Sequence, residues 1–226
     1  MTAYDTLINR GVTRLCHFTK LQSLTHILSS DRGIVSSNSI RQDTKNVTDT
    51  ERYDGELNYV CCSIQYPNSW FLRQAKAANR DQIFTDWVVM YIDPKILKSR
   101  KAKFCPCNAS VQRGAYIEND MEKLESVFEY RLPTFQYPRS SGMLRSCPTN
   151  GQAEILIEYN IPRDYIYAVA VGNEDMAGRV YSMLKVYGLE HIEIYIAPDV
   201  LSTNWSQMIK KGKTPTEKKF IKTTED

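Results

Sequence analysis

Residues 87–92, Trp-Val-Val-Met-Tyr-Ile, run apolar without a break and stop at Asp93-Pro94. A strand with one wet face would alternate polar and apolar residues, so this run predicts a strand buried on both faces. Such a strand needs neighbours on either side and packing layers above and below it. The rest of the chain supplies them as mixed strands with interspersed helices. Strands are expected over 13–19, 57–64, 152–159, 164–171 and 191–197. Helices are expected over 20–29, where Leu21, Leu24, Ile27 and Leu28 recur at helical spacing before Gly33, and over 69–79, 118–128 and 173–186. The pattern is α+β. No glycine-rich phosphate loop follows any strand, which disfavours dinucleotide-binding Rossmann and P-loop readings.

At 226 residues, with 42% hydrophobic and 24% charged residues, the chain can bury a sizeable core. Residues 1–205 read as one domain and 206–226 as a basic, loosely held C-terminal tail. No stretch reaches the roughly 20 apolar residues of a membrane span, and the N-terminus has no signal-peptide pattern. The six cysteines (16, 61, 62, 105, 107 and 147) lack the spacing of a disulfide framework, so a cytoplasmic protein with reduced thiols is expected. Cys105 and Cys107 have no partner pair at zinc-ligand spacing, and no metal is expected.

The net charge of +3 is modest, but the basic residues cluster. Arg131, Arg139 and Arg145 lie along an acid-free loop inside the irregular stretch 105–151, together with Phe135 and Tyr137. Long irregular segments in compact domains tend to carry function, and arginines with interleaved aromatics suit a nucleic-acid strand. The C-terminal lysines are read as a solvated tail.

One acidic residue is out of place. Glu154 stands inside Ala153-Glu154-Ile155-Leu156-Ile157. A carboxylate in such a strand either faces water through alternation or is held in a site. Gln152, two residues earlier, would share its face on an extended strand.

Four segments, in order, resemble the DarT family of DNA ADP-ribosyltransferase toxins. They are His17-Phe18-Thr19 with Leu24, Ile27-Leu28 and Gly33 downstream; Arg52-Tyr53-Asp54-Gly55 leading to Cys62-Ser63-Ile64-Gln65-Tyr66-Pro67-Asn68; the arginine loop; and Pro148-Thr149-Asn150-Gly151-Gln152-Ala153-Glu154-Ile155-Leu156. The chain departs from the family pattern at Tyr66, where Phe is usual, and at Ser69-Trp70-Phe71-Leu72.

The resemblance implies the ADP-ribosyltransferase fold, two small and roughly perpendicular sheets with flanking helices and an NAD-binding cleft. It implies transfer of ADP-ribose from NAD⁺ to a base, guanine, in single-stranded DNA, with release of nicotinamide. NAD⁺ is then the co-substrate, and an antitoxin the protein partner. Glu154 and Arg52 would be catalytic. His17, Phe18, Thr19, Ser63 and Asn68 would bind NAD⁺, and Gln152, Arg139, Arg145 and Tyr137 would bind the acceptor strand. Transfer to RNA, transfer to a protein, and nucleic-acid binding without catalysis are the competing readings. Plainer roles also stand: His17 as a satisfied structural residue, Glu154 facing solvent, Arg52 in a surface salt bridge, and Trp70 and Phe71 in the core.

Overall fold

The computed structural model describes residues 1–39, 53–78 and 85–222. In chain order the elements are α1 (Ala3–Arg10), β1 (Leu15–Lys20), α2 (Leu21–Leu28), β2 (Ile34–Val35), β3 (Tyr59–Ile64), α3 (Ser69–Ala78), β4 (Trp87–Ile92) and β5 (Ala102–Cys105). Then follow β6 (Glu154–Glu158), β7 (Asn160–Ile161), β8 (Ile166–Val171), α4 (Glu174–Val186), β9 (Glu193–Ile196), α5 (Trp205–Lys210) and β10 (Lys218–Lys219). Short 3₁₀ segments lie over Val111–Gly114 and Met121–Phe128, the latter where a helix is expected.

Eight strands form one sheet in the order β10-β9-β8-β4-β1-β3-β6-β5. Every pairing is antiparallel except β8 with β9, which are joined by the crossover helix α4. β4 sits inside this sheet between β1 and β8, and all six of its residues are buried, as their unbroken apolar run demands. One apolar layer covers the face carrying Leu15, Met90, Ile155 and Val169, with α2 and α4 supplying Leu24, Leu28, Val180 and Leu184. The opposite face is covered by Leu72 of α3, Trp205 and Ile209 of α5, and Met143 and Cys147 of the loop before β6.

The sheet has a seam. β1 is in register with β4 over six pairs, from Leu15↔Ile92 to Lys20↔Trp87, but with β3 over two, Leu15↔Ile64 and Cys16↔Ser63. Beyond Cys16 the two strands part. The two sheets expected from the resemblance are therefore a five-stranded half (β10-β9-β8-β4-β1) and a three-stranded half (β3-β6-β5) joined at their ends. A separate ribbon pairs β2 with β7. It depends on Gly33, whose φ is +63° and where a Cβ would stand 2.2 Å from the carbonyl oxygen of Ile161.

The stretch expected to be a loose tail is held over its described part. Arg14 is buried and forms a two-pronged ion pair with Glu217, at 2.8 and 2.5 Å, while Tyr91 donates to the same carboxylate at 2.8 Å. The Arg14 guanidinium also lies over the Tyr91 ring, 3.9 Å from its centroid. Lys218 and Lys219 are exposed, as a solvated tail would have them, but they extend the sheet as β10 and pair with Glu174 and Glu193. No helix among the described residues is long and apolar enough to cross a membrane.

Candidate functional site

Register sets Cys16, Ser63, Glu154 and Cys105 in one row across β1, β3, β6 and β5. Paired residues share a face, so these four side chains stand on the same side of the sheet, at the closed end of the seam. Two strand spacings separate Cys16 from Glu154, about 10 Å.

Glu154 is 6% exposed, which rejects the solvent-facing reading. Its Oε2 accepts the backbone N–H of Ala109 at 2.8 Å, and its Oε1 accepts Nδ2 of Asn108 at 3.4 Å. Donors to both oxygens are what a buried carboxylate needs if it is to stay ionised. Thiols lie among its neighbours on the described strands. Burial pushes Cys62 well up, and the thiol of Cys105 is raised by its hydrogen bond to Cys107 and by burial. The Cys105 and Cys107 sulfurs are 3.6 Å apart, and the same contact lowers Cys107. Among the described residues no group of His, Cys, Asp and Glu could hold a metal ion.

His17 is half-buried at the point where β1 and β3 part, and its Nδ1 donates to the carbonyl oxygen of Cys61 at 2.9 Å. That side-chain bond stands where the backbone ladder has stopped. It leaves Nε2 of the neutral ring as the acceptor nitrogen. Strand alternation puts His17 on the Leu15 and Met90 face, so it reaches the seam sideways, whereas Glu154 stands beside it on the other face.

Ser63 and Asn68 belong to one turn. The Ser63 hydroxyl accepts the Asn68 N–H at 2.9 Å, and Asn68 Oδ1 caps α3 by accepting the Phe71 N–H at 3.0 Å. Asn68 is 1% exposed, and its Nδ2 has no hydrogen-bond partner among the described residues. A buried amide left unpaired costs about 1–3 kcal/mol. That orphaned donor, next to Ser63 and one strand from Glu154, fits an oxygen-rich ligand such as NAD⁺.

Other expected site residues fall elsewhere. Phe18 packs into the core against Phe71 and Trp87, with ring centroids 5.7 and 5.9 Å away. Its aromatic face is therefore used for packing, and Thr19 beside it is buried. Trp70 is exposed, so a core role does not hold for it, while Phe71 is half-buried. Gln152 is not on β6, which begins at Glu154; it sits in a turn with its N–H bonded to Oδ1 of Asn150 at 3.0 Å. The shared strand face expected for Gln152 and Glu154 is absent because the strand starts two residues later.

Arg139 does not reach outward. Its guanidinium donates to the carbonyls of Cys147 at 2.7 Å and Leu144 at 2.6 Å, tying the loop to itself. Arg145 is exposed, with one long 3.4 Å bond to the Asn9 carbonyl. Tyr137 is 60% exposed and meets Phe135 edge-on at 5.8 Å. Arg52 lies outside the described residues.

The Asn108-Ala109 contribution was not anticipated. An Asn followed two residues later by Ser is a turn signal, but nothing in the sequence aims that turn at a strand 45 residues away.

The fold is shared with solved structures. DarT of Thermus sp. 2.9 in complex with ADP-ribosylated ssDNA superposes with a TM-score of 0.64 at 17% identity, over 84% of this chain and 96% of that one. The same protein in complex with NAD⁺ gives 0.56 at 16% identity, over 78% and 90%. Thermosipho africanus DarTG in complex with ADP-ribose gives 0.58 at 14% identity, over 84% of this chain and 51% of that one. At these identities the likeness shows a shared fold. Comparison with curated proteins gives no match. The family model described as "ssDNA thymidine ADP-ribosyltransferase, DarT" matches residues 16–205, taking in the seam, Glu154 and the arginine loop. The chain belongs to the DarT family of ADP-ribosyltransferases.

Proposed function

We propose that this protein transfers ADP-ribose from NAD⁺ to a base of single-stranded DNA, with Glu154 as the catalytic glutamate. The observation that carries this reading is a buried carboxylate with donors to both oxygens, standing one strand from an unpaired buried amide where the sheet divides. Breaking the nicotinamide–ribose bond develops positive charge on the sugar. A fixed carboxylate stabilises that charge and can receive the proton released by the acceptor base.

His17, Ser63 and Asn68 would hold the dinucleotide, with Thr19 behind them and Arg52 as the further catalytic residue. Ser63 acts by setting the turn that presents Asn68. Tyr137 and Phe135 supply an exposed surface on which an unpaired base stacks, and Arg145 a charge for the backbone. Arg131, exposed and 5.8 Å from the Tyr130 ring centroid, suits the phosphate role expected of Arg139. Gln152, half-buried in the turn before β6, faces the acceptor on this reading.

We assign guanine as the acceptor base on the motif resemblance; the family description names thymidine, which makes thymine the alternative acceptor. The protein is read as the toxin of a pair, with an antitoxin as its partner. Its six free cysteines support a cytoplasmic setting. The test is incubation with labelled NAD⁺ and single-stranded DNA oligonucleotides carrying guanine or thymine as the variable base, with matched RNA, read by mass. An ADP-ribose adduct on DNA that disappears in Glu154→Ala supports the reading and names the base. Adduct on RNA alone transfers the function to RNA, and intact NAD⁺ with no adduct removes the transferase reading.

A further inference from the structure

We infer that Asn108 is a positioning residue for Glu154, acting from the turn between β5 and the Val111–Gly114 segment; this rests on Glu154 being the glutamate of the transfer reaction. Asn108 uses its side chain twice. Its Oδ1 accepts the Ser110 N–H at 3.0 Å and the Ser110 hydroxyl, which closes the turn. Its Nδ2 points the other way and donates to Oε1 of Glu154 at 3.4 Å. The closed turn aims the Ala109 N–H at Oε2, at 2.8 Å. One amide therefore shapes the turn and helps to fix the plane of the carboxylate.

The turn is anchored on both sides. Before it, Cys105 is paired with Glu154 across β5 and β6, and its sulfur touches that of Cys107 at 3.6 Å. After it, Gln112, Arg113 and Gly114 have φ of 47°, 56° and 86°. Two consecutive non-glycine residues in that left-handed region persist only where the surroundings hold them. Gly114 lies against the backbone of Asp54, where a Cβ would stand 2.8 Å from its carbonyl oxygen. The turn is thus clamped between β5 and the segment that leads into β3, and a clamped turn can hold a carboxylate in one orientation. On the described flanking strands the thiol of Cys105 stands on the same face as Glu154 and that of Cys62 on the opposite face, and burial helps to raise both.

The test compares steady-state kinetics of Asn108→Asp, Asn108→Ser and Glu154→Gln with the wild type, on NAD⁺ and a single-stranded DNA substrate, across pH. Asn108→Asp keeps the size and the acceptor that closes the turn but sets a second carboxylate against Glu154. Its kcat at neutral pH is expected to fall roughly ten-fold or more, the loss that follows from one hydrogen bond to a charged group. KM for NAD⁺ should stay within about two-fold, because the oriented carboxylate acts on charge that develops only in the transition state. The acid limb of its kcat profile should move to higher pH, which a purely structural role would not produce. A wild-type kcat and pH profile in Asn108→Asp overturns the inference, whatever happens to KM. If that variant does not fold, Asn108→Ser, which keeps a turn acceptor but is too short to replace the Nδ2 donor to Glu154, decides: reduced kcat at unchanged KM supports the inference and wild-type kcat overturns it. Full turnover by Glu154→Gln would instead remove the underlying reading of Glu154, a result the Asn108 variants cannot mimic.

Discussion

β4 and β6 are both buried strands of one sheet, yet they do different work. β4 is apolar from Trp87 to Ile92 and meets two regular partners, β1 and β8. β6 is apolar from Ile155 to Ile157 but opens with Glu154, and its neighbour β3 parts from β1 after two registered pairs. The difference shows what a charge inside a sheet requires. Where the ladder is complete there is no room or donor for it. At the start of β6 the loop that follows the edge strand β5 folds over the sheet face and brings N–H groups to it, as Cys107–Ser110 does.

This contrast can be broken by substitution. Glu154→Gln should lower ADP-ribose transfer by roughly 10²–10³-fold while leaving the melting temperature close to that of the wild type, because the amide fills the same space. Activity and thermal melting of the same sample check it, and a variant that loses both together would make Glu154 a structural residue. Met90→Ala in β4 should do the reverse. The emptied volume in a fully buried position should cost about 2–5 kcal/mol in denaturant unfolding, with kcat near the wild-type value at low temperature.

Two buried thiols, Cys16 of the Glu154 row and Cys147 of the loop before β6, also make the fold sensitive to alkali. Burial pushes the thiols of Cys16 and Cys147 from 9.0 up to about 12. The unfolded chain therefore gives up these protons from about pH 9, whereas the folded chain holds them until about pH 12. Their stabilisation is full below pH 9 and is lost as pH rises towards 12. At pH 10 each should contribute destabilisation on the order of 1 kcal/mol relative to neutral pH. Urea unfolding at the two pH values checks this, and a Cys16→Ala, Cys147→Ala pair should flatten the dependence.

The smallest expected effect separates two arginines of one loop. Arg145→Ala should weaken single-stranded DNA binding modestly and reduce the salt dependence of binding by about 0.7, the share of one phosphate contact. Arg139→Ala should leave that slope unchanged and instead loosen the loop, read as faster proteolysis between residues 130 and 147. Equal salt slopes for the two variants would show that their opposite orientations do not matter for binding.

Much of this architecture was legible in the residues. The unbroken run 87–92 became β4 at those limits, and the leucine spacing of 20–29 became α2. Such patterns are legible because strand and helix periods are local. α1 was not: it rests on a Thr2–Asp5 capping box and on Gly11, with only Thr6 and Leu7 buried, and so few buried positions leave little periodicity to read. Gln152 was placed on β6 by parity, but strand ends depend on partners and not on propensity alone.

Residue chemistry by itself marked Glu154 as anomalous, and four motifs carried the resemblance to the DarT family. It established a central buried strand and six thiols without a disulfide spacing. Only tertiary structure decided that Arg139 turns inward while Arg145 faces out, that Glu217 folds back onto Arg14, and that Asn108 and Ala109 hold the glutamate. The physical reason is range. Apolar periodicity is written within a few residues, whereas a hydrogen bond to a buried carboxylate joins groups that the chain brings together only after the sheet has formed.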